Sequence, residues 1–255
     1  MSQAADTPPL EALITPAIRR DPSGRNWLPG LLAATPHGGA RLGELAAQPG
    51  SISTSLSVNG VGGRPACFDH PAVPPRELLA WLIDHPERLS VPAAAAGDTA
   101  ETVRLRGFLI RDDPPGSRAR AQERAHELLR SQFGHAWWRF EDASPPACVL
   151  MSDRLVLTIQ SDEDDPLAPS TPWYPARTRL VRDLEAARQL VGDRRYASLL
   201  IAGSAAVAEA VAASIADLVQ AGTPHLAAAE RAELADAFLG VVAYDAARRA
   251  LGPAP

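Results

Sequence analysis

Several groups of residues in this chain have types and spacings that could do chemistry. The run Ser161-Asp162-Glu163-Asp164-Asp165 sets four carboxylates in succession, and Glu141-Asp142 adds two more upstream. Oxygen-rich clusters of this kind can gather a hard divalent cation such as Mg²⁺. On extended backbone only alternate side chains share a face, so Asp162 with Asp164, or Glu163 with Asp165, could turn to one ion. The competing reading is an acidic, solvated loop at the end of a strand. Arg177, Arg179, Arg182 and Arg188 lie close together and could meet phosphates or carboxylates. Trp173-Tyr174 in a Pro-rich loop could stack on a base or plug that loop to a core, and the plug is the favoured reading.

Other groupings carry less. Asp-His-Pro occurs at Asp69-His70-Pro71 and Asp84-His85-Pro86 and reads as two turns. Cys67 near His70 is a local coincidence unless the fold brings the pair together. Gly60-Val61-Gly62-Gly63 lacks the strand and helix that a dinucleotide site needs, and the histidines show no HxxxH spacing.

Composition narrows the chemistry further. All 25 basic residues are arginine. Schiff-base lysines, phosphate-loop lysines and lysine bases are therefore excluded. A net charge of −5 argues against a dedicated nucleic-acid coat or a membrane-surface protein. Two cysteines give no disulfide framework. The start carries no secretory pattern and no apolar run is long enough to span a bilayer, so the expectation is a cytoplasmic protein without membrane contact.

The elements that must position these residues follow from periodicity. Residues 1–100 are expected to form an extended N-terminal arm with a possible strand in ISTSLSV and one short helix over 75–89, with Leu78, Leu79, Leu82 and Ile83 as its apolar stripe. Residues 101–203 form a core. It has a helix from Ser117, its expected N-cap, and strand-like runs at 137–142, 147–151 and 154–160. A helix over 177–191 and a buried strand over 196–203 complete it. Ser152-Asp153 makes the last two of the three runs a hairpin. A helix between strands implies a crossover and hence a mixed sheet. Residues 204–255 read as C-terminal helices packed on the core, the first capped by Ser204 and the last broken near Gly240.

This αβββαβ order, carried by PACVLMSDRLVLTIQSD, STPWYPAR, RLVRDLEAAR and YASLLIAG, resembles the PD-(D/E)XK nuclease superfamily and a bacterial group within it. The resemblance implies an α/β restriction-endonuclease-like core that hydrolyses phosphodiesters with a carboxylate-held Mg²⁺ and a lysine beside the attacking water. In that pattern Ala147 stands where the second strand's aspartate belongs. Gln160-Ser161-Asp162 replaces Glu-x-Lys, and Arg179 replaces the helix glutamine. All the acids, the lysine and the amide are absent from their places. The expectation is a catalytically inactive relative that binds a protein partner or a second copy, with an Arg179–Asp162 ion pair in the former metal pocket. Two alternatives stand beside it. One is an active Mg²⁺ nuclease using relocated acids, Asp162 and Glu163. The other is a nucleic-acid-binding module whose basic helix 117–130 and arginine helix 177–195 contact phosphates, with Trp173, Tyr174, Arg177 and Arg182 as candidate contacts.

Overall fold

The computed structural model describes residues 28–34, 57–59, 74–90, 100–131, 148–151, 155–162, 165–189 and 195–251. They form a mixed α/β protein. The elements in chain order are α1 (Leu28–Ala33), β1 (Ser57–Asn59), α2 (Arg76–Asp84), a 3₁₀ turn (Pro86–Arg88), α3 (Ala100–Arg111), α4 (Ser117–Arg130), β2 (Cys148–Met151) and β3 (Leu155–Asp162). They continue with α5 (Arg179–Gln189), β4 (Arg195–Ala202), α6 (Ala205–Gly222), α7 (Ala228–Asp236), β5 (Phe238–Ala243) and α8 (Tyr244–Leu251).

The five strands lie side by side in chain order. The β2–β3 hairpin is antiparallel, with Cys148 opposite Ile159 and Met151 opposite Val156. The far edge of β2 is taken by β1, where Ser57 faces Met151. The N-terminal region therefore adds a strand to the sheet rather than only wrapping it. β4 runs parallel to β3 across the α5 crossover, and β5 parallel to β4 across α6 and α7. The expected strand at 137–142, most of the ISTSLSV run, Asp69-His70-Pro71 with Cys67, and Gly60–Gly63 lie outside the described residues.

Two cores result. In the sheet layer, Leu200 and Ala202 of β4 and Phe238 and Val241 of β5 pack on Leu180, Val181 and Leu184 of α5, on Val211 and Val219 of α6, and on Leu234 of α7. Alternation turns the buried Leu199, Ile201 and Val242 to the other face. α8 touches β4 and β5, with α1 against it. The two helices meet closely at Gly30 of α1, where a Cβ would touch Ala250 Cβ at an ordinary 3.7 Å. The second core is helical: Leu78, Leu79, Leu82 and Ile83 of α2 meet Leu109 of α3 and Ala121, Ala125 and Leu129 of α4. Each fully buried leucine contributes roughly 1.5–3 kcal/mol.

The C-terminal region departs from the all-helical expectation. Phe238–Ala243 is a buried strand, not a helix break. A short apolar run is ambiguous by period alone, and a vacant parallel edge on β4 decides it. Gly240 sits at φ 127, where the β4–β5 register shifts after Ser198, a conformation that side-chain-bearing residues avoid. α3 was not anticipated either, because its arginines and Gly107 blur the stripe. Ser117 is the first residue of α4 rather than its cap. Gly116, at φ 81, takes the cap position, and Asp112 Oδ1 accepts from the Arg118 N–H at 2.9 Å. Arg118 in turn donates to the Leu109 and Ile110 carbonyls at 2.9 and 3.0 Å, closing the end of α3. Ser204 does cap α6, accepting from the Val207 N–H. Among the described residues no helix is long and apolar enough to cross a membrane.

Candidate functional site: a buried arginine–glutamate–histidine cluster

The loop from Asp165 to Thr178 leads from β3 into α5 and joins the two cores. Asp165 starts it, its carboxylate accepting from the Leu167 N–H at 2.9 Å. The loop then folds on itself: the Ser170 N–H donates to the Arg177 carbonyl at 2.7 Å, and the Arg177 N–H to the Tyr174 carbonyl at 3.0 Å. Thr178 caps α5 by accepting from the Val181 N–H at 3.3 Å.

At the loop tip, Trp173 is 2% exposed and belongs to the helical core. The Arg106 guanidinium lies 4.4 Å from its ring centroid, and the Ser90 N–H donates to its carbonyl at 2.8 Å. Tyr174 is buried beside it, and its hydroxyl donates to the Ala221 carbonyl at 2.6 Å. Burial pushes the Tyr174 phenol above its usual range, against the smaller opposing pull of Arg88 and Arg177. One end of the loop is thus fixed in the helices and the other on the C-terminus of α6.

Arg177 makes the second attachment. Its Nη1 donates to Glu185 Oε2 at 2.6 Å and to the Gly222 carbonyl at 3.1 Å. Glu185 Oε1 in turn lies 2.7 Å from His225 Nε2. The side chains of Arg177, Glu185 and His225 are 1%, 2% and 2% exposed. Burial pushes the Glu185 carboxyl up, but the His225 hydrogen bond and the charge of Arg177 outweigh it and hold the group below its usual range. An ionised Glu185 only accepts, so the His225 proton sits on Nε2. His225 Nδ1 is buried and has no partner among the described residues.

Gly222 permits this closeness. A Cβ there would lie 2.8 Å from Val181 Cγ1 and 3.4 Å from the Arg177 Cα. A shell of less buried charges surrounds the cluster. Arg188 bonds Glu230 at 2.6 Å, and Glu230 also accepts from the Ala227 N–H at 2.9 Å. These contacts, the backbone N–H first, hold the Glu230 carboxyl below its usual range. Burial pushes the Tyr196 phenol far up, and its hydroxyl has no partner among the described residues.

The residues singled out in the sequence are distributed unevenly around this cluster. Gln160 lies in β3, 4% exposed, in register with Leu200. The Thr158–Ser198 hydroxyl contact at 3.0 Å shows that in-register partners on β3 and β4 share a face, so Gln160 shares the α5 side with Leu200. Asp162 ends β3 in register with Ala202. Its side chain, Ala147 and Glu163 lie outside the described residues, and so does an Arg179–Asp162 pair. Arg179 opens α5 half-exposed, with its N–H donating to the Ala168 carbonyl at 3.0 Å.

Arg177 corrects the expectation of an arginine on the helix face: it precedes α5 by two residues and points inward. Arg182 bonds Asp183 at 2.8 Å. Trp173, Tyr174 and Arg177 are enclosed, which leaves them no open face for a base or a phosphate in this conformation.

Asp84-His85-Pro86 is a helix end. His85 Nδ1 lies 2.8 Å from the Trp81 carbonyl and its ring stacks on Trp81, while Asp84 bonds His126 at 2.8 Å.

Glu185 and His225 were missed, because 40 residues separate them and acids on a charged helix are read as exposed. The available signal was that α5 keeps its apolar stripe while Asp183 and Glu185 sit within it. Among the described residues no group of three His, Cys, Asp or Glu side chains is disposed to hold a metal ion. Sealed as it is, the cluster holds the loop and the α6–α7 turn on α5. No family model matches the chain, and no curated protein or solved structure matches it either.

Proposed function

We propose that this chain is a nuclease-like α/β protein of the PD-(D/E)XK kind that has given up phosphodiester hydrolysis and works by binding, as an interaction subunit for a protein partner or a second copy. The observation that carries the reading is the treatment of charge around α5. At the position of the superfamily's metal-binding acid on the third strand stands Gln160, a neutral amide buried against Leu200. The carboxylates buried on α5 are already committed, Asp183 to Arg182 and Glu185 to Arg177 and His225. A carboxylate neutralised by a guanidinium at 2.6 Å offers little to a divalent cation. The order α4, β2, β3, α5, β4 and the parallel β3–β4 pair are in keeping with that resemblance, while Ser57–Asn59 takes the place beside β2 that the αβββαβ order gives to its first strand.

The test is turnover. The purified chain is incubated with Mg²⁺ or Mn²⁺ and with supercoiled, linear and single-stranded DNA and with RNA. The expected outcome is no cleavage above the buffer control, and no change on Asp162→Ala. Metal-dependent cleavage abolished by Asp162→Ala would establish instead the active nuclease with relocated acids. Salt-sensitive retardation of an oligonucleotide without cleavage would establish the nucleic-acid-binding alternative.

A further inference from the structure

The binding reading uses the His225 ring only as a partner of Glu185, and its setting is unusual. The residue belongs to the surface turn between α6 and α7 and is itself half-exposed, yet its imidazole is turned inward and 2% exposed. Nε2 donates to Glu185, and Nδ1 meets no partner among the described residues. Glu185 of α5 and Glu230 of α7 act on the ring directly, and Arg177 from the loop shares Glu185 with it. Arg188 of α5, Tyr196 of β4 and Glu233 of α7 lie beyond them, linked to Glu185 or Glu230.

We propose that His225 is a proton-operated latch: a proton added at Nδ1 expels the ring and opens the turn from Thr223 to Ala227. With the ring neutral, Arg177 and Glu185 balance each other, and both the Arg177 Nη1 and the His225 Nε2 protons have acceptors. A second proton creates an N–H with no acceptor in a place closed to water. It also sets a second cation beside Arg177 on one carboxylate. Turning the ring outward hydrates it at the cost of one hydrogen bond.

The turn's own hydrogen bonds are local: Thr223 Oγ1 to the Val219 carbonyl at 2.6 Å, Leu226 N–H to the Thr223 carbonyl at 3.1 Å, and Arg231 to the Leu226 carbonyl at 2.8 Å. Thr223 is buried and Leu226 packs on the sheet-layer core, so opening the turn also exposes these two side chains. The neighbouring carbonyls of Ala221 and Gly222 are the acceptors for Tyr174 and Arg177. Opening the turn therefore loosens the loop that joins the two cores.

Amide hydrogen exchange on the full chain tests the latch, read as protection factors so that the intrinsic pH dependence of exchange cancels. Between pH 7.5 and 5.5 the Thr223 and Leu226 amides are expected to lose protection by at least about tenfold, while Leu79 and Leu82 of α2 keep theirs. His225→Gln, whose amide can still donate to Glu185 but does not titrate, is expected to abolish the change. Unchanged protection in the wild type, or the same loss in His225→Gln, overturns the proposal. Should that variant fail to fold, ¹⁵N spectra of the wild-type histidines decide. A ring protonated on Nε2 alone at pH 7.5, gaining its second proton as the turn amides open, supports the latch. A ring carrying both protons while those amides stay protected overturns it.

Discussion

The helical core and the sheet layer are both closed by polar contacts, and the contacts differ in kind. In the helical core the buried Arg106 guanidinium lies over the Trp173 ring, and other polar side chains serve the ends of helices from the rim. Arg118 closes α3, Gln122 donates to the Ile83 carbonyl at the end of α2, and Asp84–His126 staples α2 to α4 with Asp84 56% exposed. In the sheet layer the charges are inside, with Arg177, Glu185 and His225 sealed between α5 and the α6–α7 turn. Three amphipathic helices settle against one another through apolar stripes, and side chains at the rim serve their ends. A loop of irregular backbone has no stripe, and its register on a helix must be set by directional contacts. Buried charges set it strictly, because any other arrangement strands one of them. The Trp173–Arg177 stretch shows both solutions, its aromatic end in one core and its arginine in the other.

Breaking the sheet layer's contacts carries the largest expected effect. Arg177→Met leaves Glu185 buried with half its compensation and is expected to lower stability by about 3–4 kcal/mol in urea denaturation. Adding Glu185→Gln should return a good part of that loss, since no charge is then stranded. The same cluster sets the acid response. Glu185 is held below its ordinary value of 4.5, so its contribution is full above that pH and fades as the pH falls through the lower, folded value. Urea titrations at pH 7.5 and pH 3 should show this fall in the wild type, and a smaller one in Glu185→Gln.

A middle-sized effect is expected at Gly222. A methyl group there would press on Val181, which is fully buried, at 2.8 Å. Gly222→Ala should cost about 2 kcal/mol and shift the Arg177 contacts. The smallest effect belongs to the helical core's rim. Asp84→Asn weakens a half-exposed contact with His126 and should cost less than about 1 kcal/mol. A rim substitution as damaging as Arg177→Met would dissolve the contrast between the two regions.

Much of this contrast could be read in the sequence for the helical core and little of it for the sheet layer. The stripe Leu78, Leu79, Leu82, Ile83 and the small faces Ala121 and Ala125 are local, period-3.6 signals, and they sit where the period puts them. The β2–β3 hairpin and β4 were likewise legible from β-branched runs and a short turn. α6 was legible too, though its deepest contacts fall on Ala208, Val211 and Val219 rather than on the full stripe of Val207, Val211, Ile215 and Leu218. β5 was not, because its six residues carry no period that separates strand from helix, and its edge exists only once β4 is in place. The Arg177–Glu185–His225 cluster was invisible for the same reason. Its members lie on a loop, a helix and a distant turn, and only tertiary packing makes them neighbours. The sequence pointed to the arginines near 177 as a group, and the structure separates them, Arg177 inward and Arg179 to the helix start.

The central claim, that charge around α5 has been settled by arginine rather than left for a cation, is tested most directly by Mn²⁺ binding followed by electron paramagnetic resonance. Free Mn²⁺ is counted as the ion is titrated into the wild type and into Asp162→Ala. The account predicts no stoichiometric site in either protein at physiological ionic strength. One tightly held Mn²⁺ per chain in the wild type, lost in Asp162→Ala, would contradict it.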